Sequence, residues 1–305
     1  MPFLVVAAAA IALTAPGPSG PLAGTLLNAG EGSPVVVIIP GSGPTDRDGN
    51  NPLGVTAAPY RLLAEALAEK GVSSVRIDKR GMFGSKAAVA DANAVTIADY
   101  ASDMHAWARV VRKQAGVSCI WLLGHSEGGL VALAAAQSSA DICGIVLVSA
   151  PGRRMSDILR EQLRANPANA PVMNDAMLAI EKLEKGKRVE VSAMHPALQA
   201  LFGPPVQSFL IDMFAKDPAA LASKISKPML IVGGGRDIQV SELDAQALSA
   251  AQPKATLKMI PAMNHVLKDV ATDDRTANMA TYADPSLPVS ATLVETIAGF
   301  LRPRQ

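Results

Sequence analysis

The chain has 305 residues, 49% hydrophobic and 18% charged, enough apolar material to bury a full core as one large domain with an insertion or as two domains. Its 28 Lys and Arg balance 27 Asp and Glu, and no basic cluster is interleaved with aromatics, so nucleic-acid partners are disfavoured. Its two cysteines, Cys119 and Cys143, lack the paired spacing of a zinc or haem site, which argues against a structural metal.

Residues 1–13 are apolar and Ala-rich like the core of a secretory signal, yet no basic residue precedes them and the run is too short to span a bilayer. The preferred reading is a first strand at residues 10–14, a turn over 16–20 and a return through 22–27. Location stays open between the cytoplasm, which the strand reading favours, and export; stable membrane insertion is not expected.

Short β-branched runs at residues 35–39, 72–77, 119–123 and 142–148 then alternate with helical stretches at 56–70 and 97–113. The second of these spaces Ile97, Ala101, Met104, Ala108 and Val111 along one face. The alternation predicts an α/β protein, with a mostly parallel central sheet and helices on both faces. Over residues 152–227 the strand runs stop, and 156–164, 176–185 and 206–215 read as helices broken by Pro and Gly, an inserted helical cap. Strands at 228–232 and 256–260, a helix opened by Ser241 and a last helix over 290–301 resume the core. The expected division is a core of 1–151 and 228–305 with a cap of 152–227. Cys119 and Cys143 begin neighbouring strands, where a disulfide is geometrically open to them, but two buried thiols are the expectation.

Gly124-His125-Ser126-Glu127-Gly128 matches Gly-x-Ser-x-Gly, directly after the strand at 119–123 and before an apolar helical run at 130–137. A sharp strand-to-helix turn needs small residues where backbones crowd, and it holds the serine oxygen clear of the sheet. A serine hydroxyl needs a base, and four histidines are available. His125 sits inside the turn, His105 inside a helix and His195 in the cap. His265 follows the last strand, at the sheet edge where Ser126 emerges, and is the expected base. Asp237, reached from the strand before it through three glycines and Arg236, is the expected acid, whereas Asp212 and Asp217 read as solvated cap residues. The oxyanion of a tetrahedral intermediate would take one N–H from Glu127 and one from the loop Pro40-Gly41-Ser42-Gly43-Pro44, at Ser42 or Gly43.

Further segments carry a resemblance: Gly41-Ser42-Gly43-Pro44-Thr45-Asp46-Arg47-Asp48, Asp78-Lys79-Arg80-Gly81, Gly235-Arg236-Asp237-Ile238-Gln239 and Asn264-His265-Val266-Leu267-Lys268. With the serine turn, they make the chain resemble the serine α/β-hydrolases and, within them, the EstD-like bacterial carboxylesterases. One departure is Pro40, where many relatives of the wider fold place histidine. The resemblance implies the α/β-hydrolase fold, esterase activity on small acyl esters, no cofactor and a helical cap over the site.

Three expectations about side chains follow. Asp46, Arg47 and Asp48 should brace the oxyanion loop through Arg-carboxylate bonds, and Lys79 and Arg80 could pair with Glu127 or with these aspartates. Leu201, Phe202, Val206, Phe209, Met213 and Phe214 crowd one stretch of the cap. Phe202, Phe209 and Met213 are taken as substrate-binding residues that limit acyl length, although gluing the cap to the core is the plainer use of the same residues. The function expected is a carboxylesterase acting on small-molecule esters, its oligomeric state open. The rivals are an amidase or aminopeptidase on the same scaffold, and a binding module without catalysis.

Overall fold

The computed structural model describes residues 9–137 and 140–302. Residues 1–8 of the signal-like segment lie outside them. The chain opens with β1 (Ala10–Pro16) and β2 (Pro21–Leu27), an antiparallel pair that aligns Ala10 with Leu27 and Pro16 with Pro21. The remaining strands are β3 (Val35–Ile39), β4 (Ser73–Ile77), β5 (Ile120–His125), β6 (Ile142–Val148), β7 (Met229–Gly234) and β8 (Thr256–Ile260). They form one eight-stranded sheet in the order β1-β2-β4-β3-β5-β6-β7-β8. β2 joins β4 antiparallel, and every pairing from β4 across to β8 is parallel.

The crossovers are α1 (Pro59–Glu69), α2 (Ile97–Ala115) and α3 (Glu127–Ala135). Between β6 and β7 come α4 (Met155–Arg164), α5 (Met173–Glu184), α6 (Pro196–Phe202), α7 (Gln207–Phe214) and α8 (Pro218–Ala222). After β7 follow α9 (Glu242–Ala251), α10 (Arg275–Ala280) and α11 (Ala291–Leu301). α2 begins where local chemistry tells it to: Thr96 accepts from Asp99 N–H while the Asp99 carboxylate accepts from Thr96 N–H, and Gly116 ends the helix in the left-handed region.

Successive strand residues face opposite sides, and β3 is apolar on both. Val35, Val37 and Ile39 join a core with Trp107 and Val111 of α2 and Leu130 of α3. Val36 and Ile38 join a second core with Leu63 and Leu67 of α1 and Leu293 and Ile297 of α11. The sheet is therefore covered on both sides. Among the described residues no helix is long and apolar enough to cross a membrane.

Two expectations need correction here. Cys119 and Cys143 are not buried thiols: they are half-buried and joined in a disulfide, with Cα atoms 5.2 Å apart. The register between β5 and β6 slips from Ile120 opposite Ile142 to Trp121 opposite Gly144, so Cys143 is the extra residue of a bulge at the strand start. Asp212 of α7 is not simply solvated either, because its carboxylate accepts the N–H of Ile97 at 2.8 Å and so ties α7 to the start of α2.

Candidate active site

Ser126 stands between β5 and α3 at φ 53°, ψ −129°, a conformation a non-glycine residue holds only when its surroundings impose it. Those surroundings are backbone. A Cβ on Gly124 would run into the carbonyl oxygen of Gly128, and one on Gly128 into that of Ile39, so β3, β5 and α3 can meet this closely only with glycines at the turn.

His265 follows β8, and its Nδ1 lies 2.8 Å from Asp237 Oδ2 and 3.1 Å from Oδ1. The Asp237 side chain is fully buried, and its Oδ1 also accepts the N–H groups of Gln239 and Val240. Burial alone would push this carboxyl up, but the charge and hydrogen bond of His265 and the two backbone donors outweigh it and hold the group below its ordinary value. An ionised carboxylate only accepts, so the His265 proton sits on Nδ1 and Nε2 is the ring's acceptor. The His265 loop is tied down by its neighbours. Asn264 Oδ1 accepts Lys268 N–H, Asn264 Nδ2 donates to Asn278 and Thr281, and Lys268 Nζ reaches the carbonyls of Asp284 and Leu287.

Ser126, His265, Ser42, Gly43 and Glu127 all line one cavity of about 490 Å³. No backbone carbonyl takes the N–H of Ser42, Gly43 or Glu127 among the described residues. Val206, Phe209, Leu210 and Met213 line the same cavity at spacings of three and four along the α7 region, so one face of that helix looks onto it. Phe202 does not. It is fully buried in the core and takes no part in the lining, whereas its neighbour Leu201 does; consecutive helical residues point about 100° apart, and Phe202 shares its face with buried Leu198.

Of the charged segments, Lys79 finds the expected Glu127, whereas Arg47 and Arg80 pair elsewhere. The Arg47 guanidinium does not bond Asp46 or Asp48; it makes two bonds to Asp78 Oδ2, at 2.5 Å and 3.1 Å, beside a third from the Arg47 backbone N–H to Asp78 Oδ1, and Asp48 pairs with Arg76. Asp46 instead accepts the backbone N–H groups of Asp48 and Asn50. The loop is thus braced against β4 and its end. Arg80 turns to α2, forking onto Asp103 and reaching Asp99, while Lys79 pairs with Glu127 at 3.1 Å.

The sequence does not single out Tyr60, and it sets His125 aside as a base without giving it a role of its own. Gly41 N–H donates to the Tyr60 hydroxyl, the hydroxyl donates to His125 Nδ1 at 2.8 Å, and His125 Nε2–H donates to the His265 carbonyl at 2.8 Å. The carbonyl can only accept, which assigns the tautomer and the direction of the chain of bonds. Three loops of the site are joined this way, by residues 19, 65 and 140 apart. No spacing pattern signals such contacts; the only hint was a histidine inside the serine turn.

A mostly parallel sheet with a serine on a strained strand-to-helix turn, and a histidine and aspartate at the same sheet edge, defines an α/β-hydrolase. The chain belongs to the alpha/beta hydrolase family, whose model matches residues 36–279. It is 31% identical over 218 residues to Esterase EstD of Thermotoga maritima, a match covering 70% of this chain and 48% of that protein, so the chain spans about half the length of this relative. Among solved structures it is similar to the Pyrococcus furiosus esterase Pf2001, at TM-score 0.61 and 17% identity over 96% of this chain and 91% of that one. Est1E from Butyrivibrio proteoclasticus superposes at TM-score 0.57 and 18% identity, covering 95% and 98% of the two chains.

Proposed function

We propose that the chain is a carboxylesterase that hydrolyses short-chain carboxylic esters through an acyl-enzyme. The observation that carries this reading is the 2.8 Å hydrogen bond between His265 and the buried Asp237 carboxylate, made beside the cavity that Ser126 also lines. Ser126 Oγ attacks the ester carbonyl carbon while His265 Nε2 takes its proton. The bond to the alcohol breaks as the imidazolium returns that proton to the departing oxygen. Water then gives a proton to His265 and attacks the acyl carbon; the bond from that carbon to Ser126 Oγ breaks as the imidazolium hands the proton to Oγ, and the carboxylic acid leaves. Asp237 stays ionised, holding the ring's tautomer and offsetting the imidazolium charge. Ser42 N–H, or that of Gly43, and Glu127 N–H receive the oxyanion. Residues 152–227 act as a cap, with Phe209 and Met213 on the acyl side. This chemistry calls for no metal or cofactor. The esterase relative and the apolar lining of the cavity support the reading.

The test is a panel of nitrophenyl esters graded by acyl length, run beside amino-acid anilides and lactones, with a fluorophosphonate probe to mark the nucleophile. The probe should label wild type and not Ser126→Ala. Ser126→Ala and His265→Ala should each lower kcat by several orders of magnitude, with the double variant little worse, because the residues act as a unit. Asp237→Asn should lose about ten-thousandfold. Efficient anilide turnover with feeble ester turnover would move the assignment to an amidase, and an unlabelled wild type would return it to a binding module.

A further inference from the structure

The proposed mechanism uses Ser42 and Glu127 through their backbone N–H groups alone, yet a lysine and a glutamate side chain are buried beside them. Lys79 is 4% exposed and Glu127 1%. A buried ion pair is weak evidence for stability, because desolvating two charges offsets their attraction. A positional role accounts for it better. Lys79 leaves the end of β4, and its Nζ donates to Gly41 O at 2.7 Å and to Glu127 Oε1 at 3.1 Å, with the Tyr100 ring centroid at 5.4 Å.

Gly41 O and Ser42 N–H belong to one trans peptide unit, so they point in opposite directions. Binding the carbonyl to Lys79 therefore sets where the Ser42 N–H points. It also draws electron density toward the ammonium, which strengthens that N–H as a donor. The same ammonium holds the side chain of Glu127, the residue whose N–H is the second donor. Gly41 gains from this restraint, because glycine by itself leaves the backbone loose, while a Cβ there would crowd Ser126 Cβ at 3.1 Å. Its own N–H is held on the other side by the Tyr60 hydroxyl at 3.1 Å.

We infer that Lys79 is a positioning residue of the oxyanion hole, aiming the Ser42 N–H through the Gly41 carbonyl and tethering the start of α3 through Glu127. The inference rests on the esterase reading, since the aim of these donors matters only if a tetrahedral oxyanion forms.

The test compares wild type with Lys79→Met/Glu127→Gln and with Lys79→Gln. The double variant leaves no unpaired charge buried, and the single one replaces the ammonium by a neutral amide one bond shorter than the lysine. Three quantities are measured: the melting temperature, kcat and KM on nitrophenyl butyrate, and Ki for a trifluoromethyl ketone, which reports the oxyanion hole through its tetrahedral adduct with serine. In whichever variant melts near wild type, kcat should fall about a hundredfold while KM stays within about threefold. The ketone Ki should rise in step with the loss in kcat/KM. A folded variant with wild-type kcat and ketone Ki, or with its whole loss in KM, overturns the assignment of Lys79. Failure of the esterase reading looks different, because wild type itself would then neither hydrolyse the ester nor bind the ketone.

Discussion

Ser126 holds a backbone conformation that costs on the order of 1–3 kcal/mol, and the fold sustains it because close-packed backbone on three sides leaves no other path. Beside it, His125 is buried, and burial, with repulsion from His265, brings its pKa down from 6.5 to about 3. The folded protein thus keeps this ring neutral where the unfolded chain would protonate it. Between these two values the unfolded state binds more protons, so stability is complete above about pH 6.5 and is lost as pH falls, by about 1.4 kcal/mol per unit. Asp237, whose pKa is lowered, adds to the loss only at still lower pH. Urea midpoints taken between about pH 7 and pH 4 should therefore fall steadily in wild type. His125→Gln should be less stable at neutral pH by about 1–3 kcal/mol, because the Tyr60 hydroxyl or the His265 carbonyl loses a partner, and it should show a flatter slope. Equal slopes in the two proteins would mean that the acid sensitivity lies elsewhere.

At the scale of elements, α6 and α7 divide the labour that composition alone assigned to all their apolar residues. The stripe Val206, Phe209, Leu210 and Met213 looks onto the cavity, while Leu198 and Phe202 turn into the core. Phe209→Ala and Met213→Ala should shift the optimum from acetyl-to-hexanoyl esters toward longer acyl chains, since each buried methylene is worth roughly 1 kcal/mol of discrimination. Phe202→Ala should leave the acyl profile unchanged and lower stability by about 3–5 kcal/mol, the cost of a cavity in packed core. The specificity constants across the ester series, read beside unfolding curves, separate the two effects; a shifted acyl optimum in Phe202→Ala would place that ring at the substrate after all.

Over the whole molecule, the sheet sets two ends apart. Cys119 and Cys143 clamp β5 and β6 where these strands begin, and Ser126 leaves β5 where it ends, roughly 20 Å along the strand. The bond closes a loop across a sequence separation of 24, and its removal should free chain entropy in the unfolded state equivalent to about 3 kcal/mol. Cys119→Ala/Cys143→Ala, or reduction of wild type, should accordingly lower the unfolding free energy by about that amount, with kcat changed less than about twofold. A large loss of kcat in a variant that remains folded would show that the clamp reaches the site.

Strand positions, helical stretches and the serine turn could be read directly because they are local: residue type and a period of two or 3.6 are written along the chain, and β3, β6 and β8 occur over the expected residues. That Ser126, Asp237 and His265 each follow a strand could also be read, since parallel strands deliver their ends to one edge. What only the tertiary structure decided is which distant groups meet. Arg47 finds Asp78 rather than its neighbours, Lys79 finds both Gly41 and Glu127, and His125 links Tyr60 to His265. Cys119 and Cys143, expected as thiols, are joined in a disulfide beside a one-residue bulge. Charge type constrains such partnerships but does not choose among them, because the choice depends on strand order and on which face of a helix is turned inward, and both are settled by packing the whole chain around its two cores.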